Sequence, residues 1–300
     1  MTSSSRFGSA FLALSLLLSP GLSDPARAET GTAAKNQNRA GCDRGQFRVV
    51  IDVGHSAESP GAISARGVPE YDYNFKLAQK IAQSLKTAGF AKTELLVTSG
   101  GAMSSLASRV TRANALAADL FLSVHHDSVP PQFLETWEYA GVQRPYSDRF
   151  KGHSLFVSYE NPNPSASLHF AQLLGDEMRT RGLQYATHYT EAFMGYKRRD
   201  LLDAQAGVYR FDALIVLRKT QMPAVLLEAG SIINRQEEEA MASPQRQSLI
   251  SAAVTQAAAF YCAEHSPALS QPSSRPPRER RAARPDARPT ADAVQPTAIR

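Results

Sequence analysis

Between about residues 46 and 265, short apolar runs alternate with longer amphipathic stretches. The short runs are rich in β-branched residues and predict buried strands. They lie at 47–53, 93–99, 119–125, 153–159, 214–218 and 224–230. In the longer stretches, apolar residues recur every three or four positions, which predicts helices. These stretches lie at 70–88, 106–117, 165–181 and 244–262. The alternation predicts a single α/β domain over 46–265, with a twisted, mostly parallel sheet and helices on both faces.

Two segments interrupt this alternation, one at about 129–152 and one at about 184–212. Long irregular insertions in compact domains are usually lids, binding loops or disordered segments. We expect the insertion at about 129–152, which follows a predicted strand directly, to lie near any site at the end of that strand.

The first 28 residues differ from the rest of the chain. Arg6 precedes an apolar run that ends near an A-x-A sequence, Ala26–Arg27–Ala28. A basic start, an apolar run and small residues at a cleavage site are typical of a secretory signal peptide. The apolar run is too short to cross a bilayer core of roughly 30 Å. The sequence therefore predicts cleavage after Ala28, no stable membrane span afterwards, and a linker over 29–45.

Export to an oxidising compartment bears on the two cysteines, Cys42 and Cys262, which lie at opposite ends of the predicted domain. A disulfide that joins the two ends is consistent with such a compartment. Two separate buried thiols are the alternative, because a bridge depends on geometry that a sequence does not contain.

The segment 266–300 contains seven Pro, seven Arg and three acidic residues, and few large apolar ones. A segment of this composition cannot bury enough surface to fold, so we expect a disordered tail. The tail carries +4 of the chain's formal charge of +5. Because no aromatic residues interleave with its arginines, the basic character does not indicate a nucleic-acid partner.

Polar side chains follow several of the predicted strands. His55 follows the first strand, His125 and His126 end the third, and Glu228 lies in the last. Glu70 begins the first helix. Ligands of open parallel sheets bind beyond the carboxyl ends of the strands, so these residues could meet at one edge.

Two imidazoles and one carboxylate with an open fourth position form a hydrolytic zinc site. Zinc in such a site activates a water molecule and polarises a carbonyl, and a further carboxylate transfers the proton. The residues at this edge match that set in number and type. Successive side chains of a strand point to opposite faces, so His125 and His126 are alternatives as ligands. Arg218, at the end of a predicted strand, could hold a substrate carboxylate, or it could form a structural ion pair.

Three stretches together resemble the zinc-dependent N-acetylmuramoyl-L-alanine amidases of the type 3 family. They read VVIDVGHSAESPGAISARGVPEYDYNFKLAQKIAQSLKTAGF, SLASRVTRANALAADLFLSVHHDS and MPAVLLEAGSIIN. They follow the family pattern of D-x-G-H, an acid about fifteen residues later, an R-x-x-x-A-N helix, S-x-H and P-x-x-L-x-E. The resemblance implies that His55, Glu70 and His125 bind one zinc ion per chain and that Glu228 is the catalytic acid and base.

The resemblance also implies a function and its setting. The expected reaction is hydrolysis of the amide between N-acetylmuramic acid and the L-alanine of the stem peptide in peptidoglycan. We expect a monomer in the periplasm, or secreted, with a protein activator as a further partner. Another zinc peptidase acting on wall peptides and a non-catalytic peptidoglycan-binding protein are the alternative functions.

Overall fold

The computed structural model describes residues 42–265. Its strands are β1 (Val49–Val53), β2 (Glu94–Leu96), β3 (Leu120–Asp127), β4 (Glu135–Tyr139), β5 (Val142–Tyr146), β6 (Ser154–Val157), β7 (Asp200–Asp203), β8 (Val208–Arg210) and β9 (Ala224–Ser231). Seven of them form one sheet in the order β2-β1-β3-β9-β6-β8-β7, and β4 and β5 pair separately as an antiparallel hairpin.

The strands β2, β1, β3 and β9 are parallel neighbours, so their carboxyl ends lie at one edge of the sheet. β6 pairs antiparallel with β9 and parallel with β8, and β7 pairs antiparallel with β8. β6 therefore begins at the edge where β3 and β9 end. The sheet is mixed but mostly parallel, which confirms the predicted fold class.

Helices cover both faces of the sheet. They are α1 (Glu70–Thr87), α2 (Ala102–Ala115), α3 (Pro164–Thr180), α4 (Ile215–Lys219), α5 (Arg235–Ala242) and α6 (Pro244–His265). α1, α3 and α6 pack in one core with Val49, Ile51 and Val53 of β1, and α2 and α4 pack around the opposite face with Val50. The alternation of side chains along β1 thus divides the interior into two cores.

The helix α1 shows how the pattern specifies the packing. Its residues Tyr73, Leu77, Ile81 and Leu85 recur every four positions, and all four are buried. Burial of each Leu or Ile side chain contributes about 2 kcal/mol to the free energy of unfolding. The helix is followed by Gly89, whose φ of 96° lies in the left-handed region that favours glycine.

The segment 214–218 corrects one prediction. Its apolar run, LIVLR, was expected to form a strand, but it forms the short helix α4. Both edges of β9 are already paired, one with β3 and one with β6. No strand position beside β9 is therefore left for this run, and it packs its apolar side chains Val216 and Leu217 against the sheet as a helix instead.

Both insertions are ordered. The first, about 129–152, contains the β4–β5 hairpin, and the second, about 184–212, supplies β7 and β8 to the end of the sheet. The hairpin is attached to the neighbouring loop by Trp137, whose Nε1 donates to the carbonyl oxygen of Ala65 at 3.0 Å.

Cys42 and Cys262 form a disulfide with a Cα–Cα distance of 5.5 Å. It joins the segment before β1 to α6 and so connects the two ends of the domain. Within 42–265, no helix combines the length and apolar character that a membrane crossing requires. The predicted signal peptide, most of the predicted linker and the predicted disordered tail lie outside the described residues.

Candidate active site

Three side chains from separate elements meet at the carboxyl edge of the sheet. His55 follows β1, Glu70 begins α1, and His125 lies near the end of β3. The Nε2 of His55 is 3.1 Å from one carboxylate oxygen of Glu70, and the Nδ1 of His125 is 3.0 Å from the other. One ligand atom of each residue lies within 4.8 Å of those of the other two. Two imidazole nitrogens and one carboxylate oxygen are therefore close enough to share a metal ion.

The backbone of His55 is held in an uncommon conformation. Its φ is 68°, in the left-handed region that costs a non-glycine residue about 1–3 kcal/mol. The guanidinium of Arg109, on α2, donates a hydrogen bond to the carbonyl oxygen of His55. Arg109 is buried, and its Nε lies 3.3 Å from the hydroxyl of Thr98 and 3.6 Å from the carboxylate of Asp52. Arg109, Thr98 and Asp52 thus form a polar network that holds the backbone of His55 in this conformation.

Gly61 is the second backbone feature that the site requires. Its φ is 80°, and a Cβ atom at this position would lie 2.4 Å from Oε2 of Glu70 and 2.7 Å from Nε2 of His55. The loop between β1 and α1 therefore approaches the two ligand atoms as closely as a backbone can. Any side chain at 61 would overlap the space in which the ligand atoms converge.

Glu70 is almost fully buried, at 5% exposure, yet it is well provided with donors. The amide of Asn74 donates to Oε1 at 3.1 Å, and the backbone N–H of Ala62 donates to Oε2 at 3.1 Å. Burial alone would raise the pKa of Glu70, but the hydrogen bonds to His125 and His55 outweigh it and hold the pKa well below its usual range. The carboxylate is therefore charged, as a metal ligand must be.

His126 points away from this group of ligands. Its Nδ1 lies 2.8 Å from Oδ1 of Asn74, on the α1 side of the sheet, and burial lowers its pKa to about 4. His126 is thus a buried neutral residue of the core. The structure directs His125, and not His126, toward His55 and Glu70.

Glu228 lies beside the three ligands. Its Cα is directly opposite that of His125 in the β3–β9 ladder. By the alternation along the strands, both side chains lie on the same face of the sheet as Leu226, the face covered by α2 and α4. Its Oε2 is buried and has no hydrogen-bond partner among residues 42–265. Burial, followed by the charges of Asp127 and Glu70, raises the pKa of Glu228 well above its ordinary value. Such a carboxyl can hold and transfer a proton.

Arg218 is not brought to this group. It lies on α4, where its NH1 is 3.5 Å from the carboxylate of Glu160. The recess that contains His55 and His125, with a volume of about 250 Å³, is lined by its neighbours Leu214 and Val216 but not by Arg218. The prediction that Arg218 ends a strand at the site is therefore wrong, and the ion-pair alternative describes its contact.

Sequence reasoning did not assign three residues that shape the site, Gly61, Arg109 and Asp127. Arg109 is the arginine of the R-x-x-x-A-N motif, but its contact with His55 becomes visible only in the folded structure. Asp127 follows His125 by two positions and accepts a hydrogen bond of 2.7 Å from the hydroxyl of Tyr189. The Nε2 of His188 lies 3.7 Å from the same oxygen of Asp127.

Known proteins share this sequence and fold. The model of amidase family 3, described as N-acetylmuramoyl-L-alanine amidase, matches residues 49–259. An endolysin of Bacillus phage SPP1 is 30% identical over 189 residues, which cover 63% of this chain and 56% of the endolysin. The amidase LytC of Bacillus subtilis is 27% identical over 189 residues, covering 62% of this chain and 29% of LytC.

Among solved structures, the N-acetylmuramyl-L-alanine amidase Ami1 from Mycobacterium smegmatis has the same fold. Its TM-score is 0.55 at 19% identity, and the alignment covers 73% of this chain and 98% of Ami1. The matched segment spans just over half of the endolysin and less than a third of LytC, but nearly all of Ami1. Because the family model covers most of the described domain, the chain belongs to the N-acetylmuramoyl-L-alanine amidase family.

Proposed function

We propose that this protein hydrolyses the amide between N-acetylmuramic acid and the L-alanine of the stem peptide in peptidoglycan. The observation that carries the proposal is the convergence of His55, Glu70 and His125 beside Glu228, whose buried Oε2 has no hydrogen-bond partner within 42–265. Membership in the amidase family supports the choice of substrate and of the bond that is cleaved.

The three converging residues fit one zinc ion per chain. Two histidine nitrogens and one carboxylate oxygen are the donors that zinc prefers, and they leave one coordination position for the reaction. The close approach of Gly61 fits the same group, because a Cβ would fill the space that the ligand atoms surround. When bound in such a site, zinc lowers the pKa of a water molecule and polarises the carbonyl of the substrate.

Glu228 would act as the base and then as the acid. Its carboxylate would accept a proton from the attacking water and then donate it to the nitrogen of the departing L-alanine. Burial and the neighbouring charge of Asp127 favour the protonated form of Glu228, which it must hold between the two steps. Because Glu228 lies opposite His125 on the neighbouring strand, it would stand next to the bound zinc without belonging to the proposed ligands.

The proposed substrate lies outside the cytoplasmic membrane, so the proposal includes export. The predicted signal peptide over 1–28 supports a periplasmic or secreted location. A monomeric state and a protein activator stay predictions.

Digestion of purified peptidoglycan followed by mass spectrometry tests the proposal. An amidase releases intact stem peptides from the glycan, a peptidase shortens the peptides, and a binding protein leaves the wall intact but sediments with it. We expect intact stem peptides, and shortened peptides or an undigested wall would contradict the proposal.

The Glu228→Gln variant separates the two roles in the site. We expect it to retain zinc while turnover falls by roughly 10²- to 10⁴-fold, because only the proton transfer is removed. His55→Ala should instead lose the metal, as measured by atomic emission on the purified protein. Glu94→Gln, at an exposed position on β2, is the matched control and should keep both metal and turnover.

A further inference from the structure

A second recess has a volume of about 400 Å³, and His188 in its lining lies 3.7 Å from Asp127, two residues after His125. Three cationic side chains, Arg149, Lys151 and Arg246, contribute to its lining. In the described part of the chain, none of the three lies within ion-pair distance of a carboxylate. None of the three cations is therefore paired directly with a carboxylate of residues 42–265.

The acid in the lining of this recess is Glu237, and its hydrogen-bonding capacity is used by the backbone. It accepts from the N–H of Gly152 at 2.9 Å and from the N–H of Ser231 at 2.9 Å. The charges of Arg246 and Lys151 both act on it, which places these cations around the same space. Three cations against one occupied carboxylate leave the recess with a net positive charge.

The strand register relates β6, which follows Lys151 and Gly152 of this recess, to the candidate metal ligands. His125, Glu228 and Ser154 are Cα partners in a row across β3, β9 and β6. Neighbouring strands lie about 4.8 Å apart, so this row spans roughly 10 Å. Lys151 precedes Ser154 by three residues, at the edge where β3 ends. His188, which also lines the recess, reaches to within 3.7 Å of Asp127.

The recess next to the ligands has a different chemistry. Besides His55 and His125, it is lined mainly by small and apolar side chains such as Leu106, Val216 and Leu226. Its guanidinium, Arg109, is already engaged by the carbonyl of His55. This recess suits an uncharged group, whereas the cationic recess suits an anion.

We propose that the cationic recess formed by Arg149, Lys151 and Arg246 binds the carboxylates of the stem peptide, about three or four residues from the amide that is cleaved. The inference rests on the proposed function. The two parts of that substrate differ in charge, since the muramoyl part is uncharged around the bond and the peptide part carries free carboxylates. An extended peptide spans about 3.3 Å per residue, so three or four residues cover the roughly 10 Å of the row from His125 to Ser154, toward the recess.

The test compares two soluble muramoyl tetrapeptides, one with free carboxylates and one with the same carboxylates amidated. Both are cleaved by the wild-type protein, by Arg149→Gln/Arg246→Gln and by the control Lys80→Gln/Lys86→Gln. The control removes the same charge from the exposed surface of α1, away from the recess. Lys151→Gln is a third variant, at an exposed position in the lining of the recess.

We expect the wild-type KM to be roughly tenfold lower for the free carboxylates, since two or three partly exposed ion pairs are involved. The preference should disappear in Arg149→Gln/Arg246→Gln, shrink in Lys151→Gln, persist in the control, and weaken as NaCl is raised. Equal KM values for the two peptides in the wild type, or an unchanged preference in the double variant, would overturn the inference.

A binding measurement separates this inference from the proposed function. Titration calorimetry of the two peptides into Glu228→Gln reports on the recess without any turnover. If the wild type cleaves neither peptide nor the wall, the proposed function fails. The recess is still supported if binding of the free-carboxylate peptide depends on Arg149 and Arg246, and it is refuted if the amidated peptide binds equally well.

Discussion

The guanidinium of Arg109 donates a hydrogen bond to the backbone carbonyl of His55, the residue whose φ is 68°. The contact is partly buried, and it links α2 to the loop in which the first candidate ligand lies. Arg109 also lies beside Asp52, whose pKa is raised by burial to about 6 although the charge of Arg109 lowers it. The pair therefore forms a buried support under His55.

We expect Arg109→Lys to weaken zinc binding by roughly tenfold, because the single Nζ of lysine would replace the two separate nitrogens with which Arg109 reaches Thr98 and the His55 carbonyl. Competition with a chromophoric chelator measures this affinity independently of activity. Arg112→Lys is the control on the same helix, since Arg112 is exposed and donates only to the carbonyl of Val97. Equal zinc affinities in the two variants would show that His55 needs no support from Arg109.

Replacing Gly61 by alanine should remove the metal. The new Cβ would lie 2.4 Å from Oε2 of Glu70, and the backbone at φ 80° would be strained as well. We expect the zinc content of Gly61→Ala to fall from about one per chain to nearly none. Circular dichroism should show that the sheet and helices persist.

Gly182→Ala separates the overlap from the strain in this experiment. Gly182 has a φ of 78°, but a Cβ there would meet nothing within 4 Å. This control therefore carries the same backbone cost and should keep its zinc. Loss of zinc from both variants would mean that general destabilisation, and not the overlap with Glu70, is responsible.

Stability should decline below neutral pH because of buried histidines. Burial lowers the pKa of His153 to about 4, and the charge of Arg246 adds to the effect, although the carbonyls of Gln184 and Ala206 oppose it. The unfolded chain, with a pKa near 6.5, binds the proton first. The free energy of unfolding therefore increases with pH between about 4 and 6.5, and this contribution of His153 disappears as the pH falls through that range.

Between pH 7 and pH 5, His153 should account for about 2 kcal/mol of this loss. Urea unfolding at both pH values measures it, and His153→Phe should show a correspondingly smaller decline. Parallel losses in the wild type and the variant would exclude His153 as the origin.

Reduction of the disulfide should lower the free energy of unfolding. Cys42 and Cys262 are separated by 220 positions, and closing a loop of that length is worth at most about 5 kcal/mol. We expect a lower melting temperature in dithiothreitol and in Cys42→Ser/Cys262→Ser. Dithiothreitol should have no effect on the double variant, and a shift there would trace the change to something other than the bridge.

The candidate ligands could be predicted because the topology gathers them. His55 follows β1 and His125 lies near the carboxyl end of β3, and these strands are parallel neighbours, so their shared edge follows from the α/β pattern. The choice between His125 and His126 required the direction of a single side chain. The family resemblance supplied that choice, and the contact between His126 and Asn74 gives its physical reason.

The sequence misled where the outcome depended on distant partners. The run LIVLR has strand composition, but β3 and β6 occupy both edges of β9, and local propensity contains no information about occupied edges. The cationic recess was missed for a similar reason. Arg149 and Arg246 are about a hundred residues apart in sequence, and only the fold brings them into the lining of one recess.

The covalent bridge also constrains the order of events during biogenesis. Its second sulfur belongs to the final helix, so no crosslink can form until nearly every residue of the domain has been synthesised. Formation of this bond therefore cannot guide the chain while most of the domain is still being synthesised. Under the proposed export, the chain would cross the membrane without the Cys42–Cys262 bond and form it in the oxidising compartment.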